Sequence, residues 1–191
     1  MLYKHCPLFP LSAHLLPGGR MTLRIFEPRY VRMVKEACAQ NAGFVICMLN
    51  ASGSKDDNTH IYPIGTYAEI VDFDMLEDGL LSITVVGKQA VNIQNIGTES
   101  DNLRVADCVP ISPWCCDVDE ADISVMRDKL KQIFERYNEL NILYETPDFE
   151  DPIWVIHRWL ELIPVDPEQK QYFIGQKDCS LVLQFLKELV D

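Results

Sequence analysis

Between positions 8 and 30 apolar residues flank a Pro17-Gly18-Gly19 break (LFPLSAHLLPGGRMTLRIFEPRY), a pattern that predicts strand, turn, strand and helix in quick succession. The glycines can take the positive φ angles of a tight reversal. Pro28, just after Glu27, has its φ preset for a first helical turn and no N–H to satisfy. Beyond it Tyr30, Val31, Val34, Ala37 and Cys38 recur at helical spacing among Arg29, Arg32, Lys35 and Glu36, and Asn41-Ala42-Gly43 ends the helix. The run FVICMLN that follows reads as a short buried strand, and residues 51–59 (ASGSKDDNT), polar and without period, as a mobile surface loop.

The strongest alternation lies in LLSITVVGKQAVNI. Leu81, Ile83, Val85, Val91 and Ile93 fall on one face, and Ser82, Thr84, Lys88, Asn92 and Gln94 on the other. Residues 65–73 form a strand before it, Asp78-Gly79 marks a hairpin turn, and mid-strand Gly87 signals a bulge or barrel corner. A further strand follows at 103–111. Strands that are neighbours in sequence and joined by short turns predict a largely antiparallel, curled sheet or small barrel.

The pattern then changes period. Pro110, Pro113 and the acids of 117–122 read as a linker running into a helix that carries Ile123, Met126, Leu130, Ile133, Phe134 and Tyr137 on one face, with Lys131 and Glu135 paired on the other. Asp151-Pro152 and Asp166-Pro167 are cap-then-proline starts of two more helices. Asp178 or Ser180 caps a last one, expected to bury Leu181, Leu183, Phe185, Leu186 and Leu189. The domain expectation is therefore a β domain with one early helix over 1–112 and a helical bundle over 113–191.

Composition narrows the function. With 29 acidic against 17 basic residues the formal charge is -12, which disfavours nucleic acid, since phosphate binding needs clustered Lys and Arg. No stretch approaches the roughly 20 apolar residues of a membrane helix, and Pro7, Pro10, His14 and Pro17 interrupt any signal-like run, so the expected location is cytoplasmic. Seven cysteines, at 6, 38, 47, 108, 115, 116 and 179, follow no C-x-x-C spacing. Reduced thiols are the simplest account, with Cys38 and Cys47 in the core; the adjacent Cys115-Cys116 pair could react or hold a soft metal but has no further ligand nearby. The histidines at 5, 14, 60 and 157 are too dispersed for zinc, and His157 in a Trp-rich helix reads as a partly buried helix residue. Trp154 and Trp159 point in different directions and suit bundle packing. No cofactor motif and no G-x-S-x-G nucleophile occurs.

The opening segment closely resembles that of the Lon protease N-terminal (substrate-binding) domain family of the PUA-like superfamily, whose members begin with a similar FP…PG…PLRIFEPRY stretch. PIGTYAEIVDFDMLEDGLLSITVVGK is similar to the family's xxGTxAxI…xxDGxxxxxVxG block, and RWLELIPVDPEQKQYFIGQKDCSLVLQFLKEL to its closing L-x-P and xxxKQxxL helices. One departure stands out: the family often has Arg shortly after the Gly of V-x-G, where this chain has Lys88-Gln89-Ala90. The resemblance implies an α+β, PUA-like fold, with a curled sheet or pseudo-barrel followed by a helical bundle. It also implies a stand-alone, non-catalytic polypeptide-binding or adaptor protein. Its partners would be unfolded or extended polypeptides, with a separate protease or chaperone as a further candidate, and no cofactor. Two other classes stay open, a PUA-like nucleic-acid-binding protein and an enzyme with an unrecognised small-molecule pocket.

Candidate binding residues fall in two groups. Glu27 and Arg29 either lock the first helix to the sheet or line a polypeptide groove with Leu16, Phe26 and Tyr30; Phe73, Met75 and Leu76 beside the hairpin turn either pack in the core or give an adaptable exposed surface. A protease of this family would need a G-x-x-x-x-G-K-[ST] phosphate loop and a serine–lysine dyad on separate domains, and no such loop occurs in these 191 residues. The purified protein is accordingly expected neither to hydrolyse ATP nor to cleave casein. Turnover that survives rigorous purification would overturn the non-enzyme reading.

Overall fold

β1 (Tyr3–Leu11) and β3 (Phe44–Leu49) lie side by side and parallel, with Leu8 opposite Val45 and Leu11 opposite Met48. Parallel strands cannot be joined by a tight turn and need a crossover. Here β2 (Arg20–Ile25) and α1 (Pro28–Gln40) supply it. The remaining strands, β4 (Ile61–Met75), β5 (Leu81–Thr98) and β6 (Arg104–Pro110), pair antiparallel. The sheet order is β2-β5-β4-β3-β1-β6, and an additional β5–β6 pairing closes every strand but β2 into a barrel. The computed structural model describes residues 2–115 and 117–190, and the chain divides into two compact units, Met1–Ile111 and Ser112–Asp191.

Two apolar clusters hold the first unit. Leu8, Val45, Cys47, Val91, Ile93, Ala106 and Cys108 come from barrel strands and fill its interior. Phe9, Phe44, Ile46, Leu23, Ile25, Ile83 and Val85 pack on the other side against Met33, Val34 and Ala37 of α1. β3 is thus buried on both faces, which is why FVICML shows no alternation. Asn41, with φ of 50°, caps α1 in the left-handed region, its N–H and that of Ala42 closing on carbonyls of the last turn. The Asp78-Gly79 hairpin forms as expected: Gly79 has φ of +80°, and Leu80 N–H donates to Asp78 Oδ1 at 3.1 Å.

Several local expectations need correction. The Pro17-Gly18-Gly19 turn does not join partner strands, because β2 pairs only with β5. The turn docks instead on Gly87: Gly18 N–H donates to the Gly87 carbonyl and Gly87 N–H to that of Gly19, both at 2.9 Å. A Cβ on Gly87 would stand 2.4 Å from the Leu16 carbonyl oxygen. Ala68 faces Gly87 and Tyr67 faces Gln89, so Lys88 bulges out, the irregularity the glycine signalled. Ser82 is buried although the alternation put it on the polar face, and Cys38 is exposed although it was expected in the core. The 51–59 segment is laced: Asn50 Nδ2 donates to the Thr59 carbonyl, Ser54 N–H to Thr59 Oγ1, and Asn58 Nδ2 to the Ile96 carbonyl.

The second unit contains α2 (Glu120–Arg136), α3 (Asn138–Leu143), α4 (Pro152–Leu162), α5 (Pro167–Ile174) and α6 (Ser180–Val190). Asp151 and Asp166 accept the Ile153 and Glu168 N–H groups at 2.9 Å and cap α4 and α5, while Asp178 takes the Ser180 N–H at the same distance. Ile123, Met126, Leu130 and Phe134 of α2 are buried, but Tyr137 is half-exposed at the helix end. Trp154 packs on Phe134, Tyr144 and Phe149, and Trp159 Nε1 donates to the Met126 carbonyl at 3.1 Å. His157 is half-buried beside Trp114, with ring centroids 4.9 Å apart. Arg158, wholly buried, forms an ion pair with Glu161 at 2.7 Å and lies over Trp154. Lys131 pairs with Glu150 at 3.5 Å in place of the expected Glu135. On α6 the buried residues are Val182, Leu186 and Val190, whereas Leu181 and Leu189 are exposed. Cys179 is disulfide-bonded, so the expectation of reduced thiols fails there. Cys115 is exposed, and Cys116 lies outside the described residues.

Gly87 and Gly79 are needed for different reasons, so their alanine variants should separate. Gly87→Ala meets a backbone oxygen that cannot yield and should cost about 2–3 kcal/mol; Gly79→Ala meets open space and should cost only the left-handed φ, about 1 kcal/mol. Equal losses in urea denaturation would contradict the docking of the 17–19 turn.

Candidate functional site

β4 outruns its neighbour. β3 pairs with it only between Ile61 and Ala68, so residues 69–75 are held on one side by β5 and are open on the other. In this wing Phe73 stands opposite Ile83, which stands opposite Leu23, and Met75 opposite Leu81, which stands opposite Ile25. Directly opposed residues share a face. Leu23, Ile25 and Ile83 are buried among the α1 residues of the core, yet Phe73 and Met75 on the same face are 69% and 64% exposed. Phe26, the residue after Ile25, is 67% exposed. Two strand spacings separate Ile25 from Met75, roughly 10 Å. Val71, at a second irregularity of the β4–β5 ladder, is also exposed.

Two open grooves flank α1. One, of about 290 Å³, lies between Ala37, Cys38, Asn41 and Ala42 at the end of α1 and residues 69–73 of β4. The other, of about 610 Å³, runs along the outer side of the helix past Phe26, Val31 and Lys35. Along the outer part of β4 and its hairpin the charge is acidic, and Glu69 and Asp72 line the first groove. Glu69, Asp72, Asp74, Glu77 and Asp78 sit within ten residues of one another, with Lys88 3.5 Å from Glu69 and Arg24 paired to Asp78. Asp72 Oδ1 accepts the Phe73 N–H at 2.9 Å and Asp74 Oδ1 the Met75 N–H at 2.8 Å.

The remaining predicted residues serve the fold. Leu16 is 2% exposed and cannot line a surface; Leu76 is half-buried at the hairpin, its N–H donating to the Leu80 carbonyl. Glu27 pairs with Arg29 at 2.7 Å, and Arg29 Nη1 donates to the Asn102 carbonyl at 2.8 Å while its guanidinium covers the Tyr30 ring. Tyr30 packs on Phe9, with ring centroids 4.3 Å apart, and burial pushes its hydroxyl pKa up. These contacts lock the start of α1 to the loop between β5 and β6.

The other half of that lock was not legible in the sequence. Arg32 donates through Nε to Asp101 at 2.8 Å and pairs with Glu99 and Glu36, while His5 Nε2 lies 2.9 Å from Glu99 Oε1. The hydrogen bond from His5, and then that from Arg32, holds the Glu99 carboxyl below its ordinary pKa; Arg32 does the same for Asp101. The acids lie 67 and 69 residues along the chain from Arg32, and no local signal links them. Asp72 and Asp74 did leave a trace, the apolar–acid alternation of VDFDM.

Comparison with known proteins gives a consistent pattern. The model of the ATP-dependent protease La (LON) substrate-binding domain matches residues 5–184. Among solved structures, a Lon N-terminal domain protein from Xanthomonas campestris superposes with a TM-score of 0.76 at 23% identity, covering 99% of this chain and 100% of that one. The N-terminal domain of the Mycobacterium avium complex Lon protease gives 0.67 at 13% identity over 98% of both. These two likenesses show a shared fold. Among curated proteins, cereblon of Gallus gallus is 29% identical over 108 residues, 53% of this chain and 23% of cereblon. Cereblon of Danio rerio is 28% identical over 107 residues, 54% and 24% respectively. The chain thus matches only about a quarter of the length of these relatives.

The polar lock should be visible in acid. Glu99 and Asp101 have folded pKa values depressed below the unfolded ones, so their stabilisation is present above the ordinary carboxylate range near pH 4 and is lost as pH falls through the lower folded values. Arg32→Gln should therefore lower stability at pH 7 and flatten its decline below about pH 4. Parallel denaturation curves for the variant and the parent across that range would refute the lock.

Proposed function

The chain belongs to the family of the ATP-dependent protease La (LON) substrate-binding domain, and on that premise we propose that it is a non-catalytic polypeptide-binding or adaptor module. The observation that carries the reading is the uncovered continuation of a core face: Phe73 and Met75 extend the apolar surface that α1 buries elsewhere. A contiguous apolar patch rimmed by charge is the signature of an interaction surface, and a flexible thioether among aromatic rings suits varied side chains. Apolar contact supplies the attraction, and the net charge of -12 biases encounter towards basic segments.

The partners in this reading are unfolded or extended polypeptides, with a separate protease or chaperone able to receive them. The acidic surface counts against nucleic acid as the ligand. Among the described residues no helix is long and apolar enough to cross a membrane, and a cytoplasmic setting is part of the proposal.

The test is titration with a disulfide-dependent protein kept unfolded by reduction and carbamidomethylation, followed by fluorescence anisotropy. The parent should bind it in preference to the same protein folded. Phe73→Lys and Met75→Lys should each weaken binding about tenfold, the cost of losing a few tens of Å² of apolar contact, with unchanged circular dichroism. Absence of binding by the parent, or binding unaffected in both variants, would refute the proposal.

A further inference from the structure

The open flank of β4 carries an unusual device. In an antiparallel ladder alternate residues turn their N–H and C=O away from the partner strand. Phe73 and Met75 are the residues so turned, since their N–H groups go to Asp72 and Asp74 of their own strand. An unpaired strand edge is a template for another strand. Here each outward N–H among residues 72–75 is already taken by a neighbouring carboxylate, and such charge-assisted bonds are about twice as strong as neutral ones.

From this, and resting on the polypeptide-binding reading above, we infer that residues 69–75 are a strand-addition site for extended segments alternating apolar and basic side chains, with Asp72 and Asp74 as built-in caps. An incoming strand must replace each carboxylate by a carbonyl oxygen at the Phe73 and Met75 N–H groups. That exchange trades a charged acceptor for a neutral one and gains little unless the released carboxylate finds a cation. Asp72 and Asp74 lie on the face opposite Phe73 and Met75. A segment paired with this edge therefore meets apolar side chains with every second residue and carboxylates with those between. Lys or Arg at the intervening positions answers the released charge, whereas Glu or Asp there repels it. The edge so selects by pattern as well as by composition, and stays closed to neutral strands.

The probe is an acetylated, amidated seven-residue peptide of alternating Val and Lys. It is compared with the same composition with its Val residues contiguous, with Gln replacing Lys, and with N-methyl groups on either alternate set of amides. The alternating peptide should bind, the contiguous one at least about fivefold more weakly. One N-methyl set should abolish binding and the other be tolerated, and hydrogen exchange at the Phe73 and Met75 amides should slow at saturation. Asp72→Asn with Asp74→Asn should reduce the preference for Lys over Gln about fivefold, as expected for two exposed charge pairs, without weakening the Gln peptide. Unfolded protein that binds while the peptide does not, or peptide binding indifferent to both N-methyl sets with unchanged amide exchange, overturns strand addition and leaves the polypeptide-binding reading intact. Failure of the parent to bind unfolded protein at all removes that reading and this site with it.

Discussion

The burial on both faces of β3, and of Leu8 and Phe9 in the β1 stretch beside it, is the constraint from which the rest of the first unit follows. Because the two strands run parallel, the chain between them must leave the barrel and return, and it does so by way of β2 and α1. That excursion gives the sheet its second covered face: α1 supplies Met33, Val34 and Ala37 to one side of β3, while the barrel strands close on the other. The same crossover begins with the 17–19 turn that rests on Gly87, where a missing side chain lets two backbones approach. Barrel closure and helix docking are therefore parts of one solution.

Length sets where this cover ends. A helix of 13 residues reaches about 20 Å, whereas β4, with 15 residues, reaches about 50 Å. α1 covers Leu23, Ile25 and Ile83 of β2 and β5, while Phe73 and Met75, in the same cross-strand rows on β4, stay exposed. β3 is shorter still, with 6 residues, which opens the edge of β4 over the same span. Apolar face and free backbone edge thus coincide for a geometric reason, and the acidic residues between them keep the exposed end from pairing freely.

Much of this architecture was legible along the chain. Alternation located β5, the proline-capped starts located α1, α4 and α5, and the glycines at 79 and 87 marked a hairpin and a bulge that both form. Their place beside the hairpin turn singled out Phe73, Met75 and Leu76 as residues either packed in the core or exposed. Arg29 could be given a locking role from its place at a helix start, but its acceptor, the Asn102 carbonyl, could not be named.

What the sequence determined by itself was the set of elements and the faces they offer, because periodicity and capping are properties of a few consecutive residues. Only the tertiary structure decided which faces are covered. Leu16 and Phe26 are both apolar and ten residues apart, yet Leu16 lies under the turn that meets Gly87 and Phe26 stands past the end of a covered strand. Cys38, Leu181 and Leu189 sit on apolar stripes wider than the surfaces they pack against. Burial depends on the length and position of a partner element far away in the chain, and Arg32 finds Glu99 and Asp101 for the same reason: folding, and not spacing, brings them within hydrogen-bonding distance.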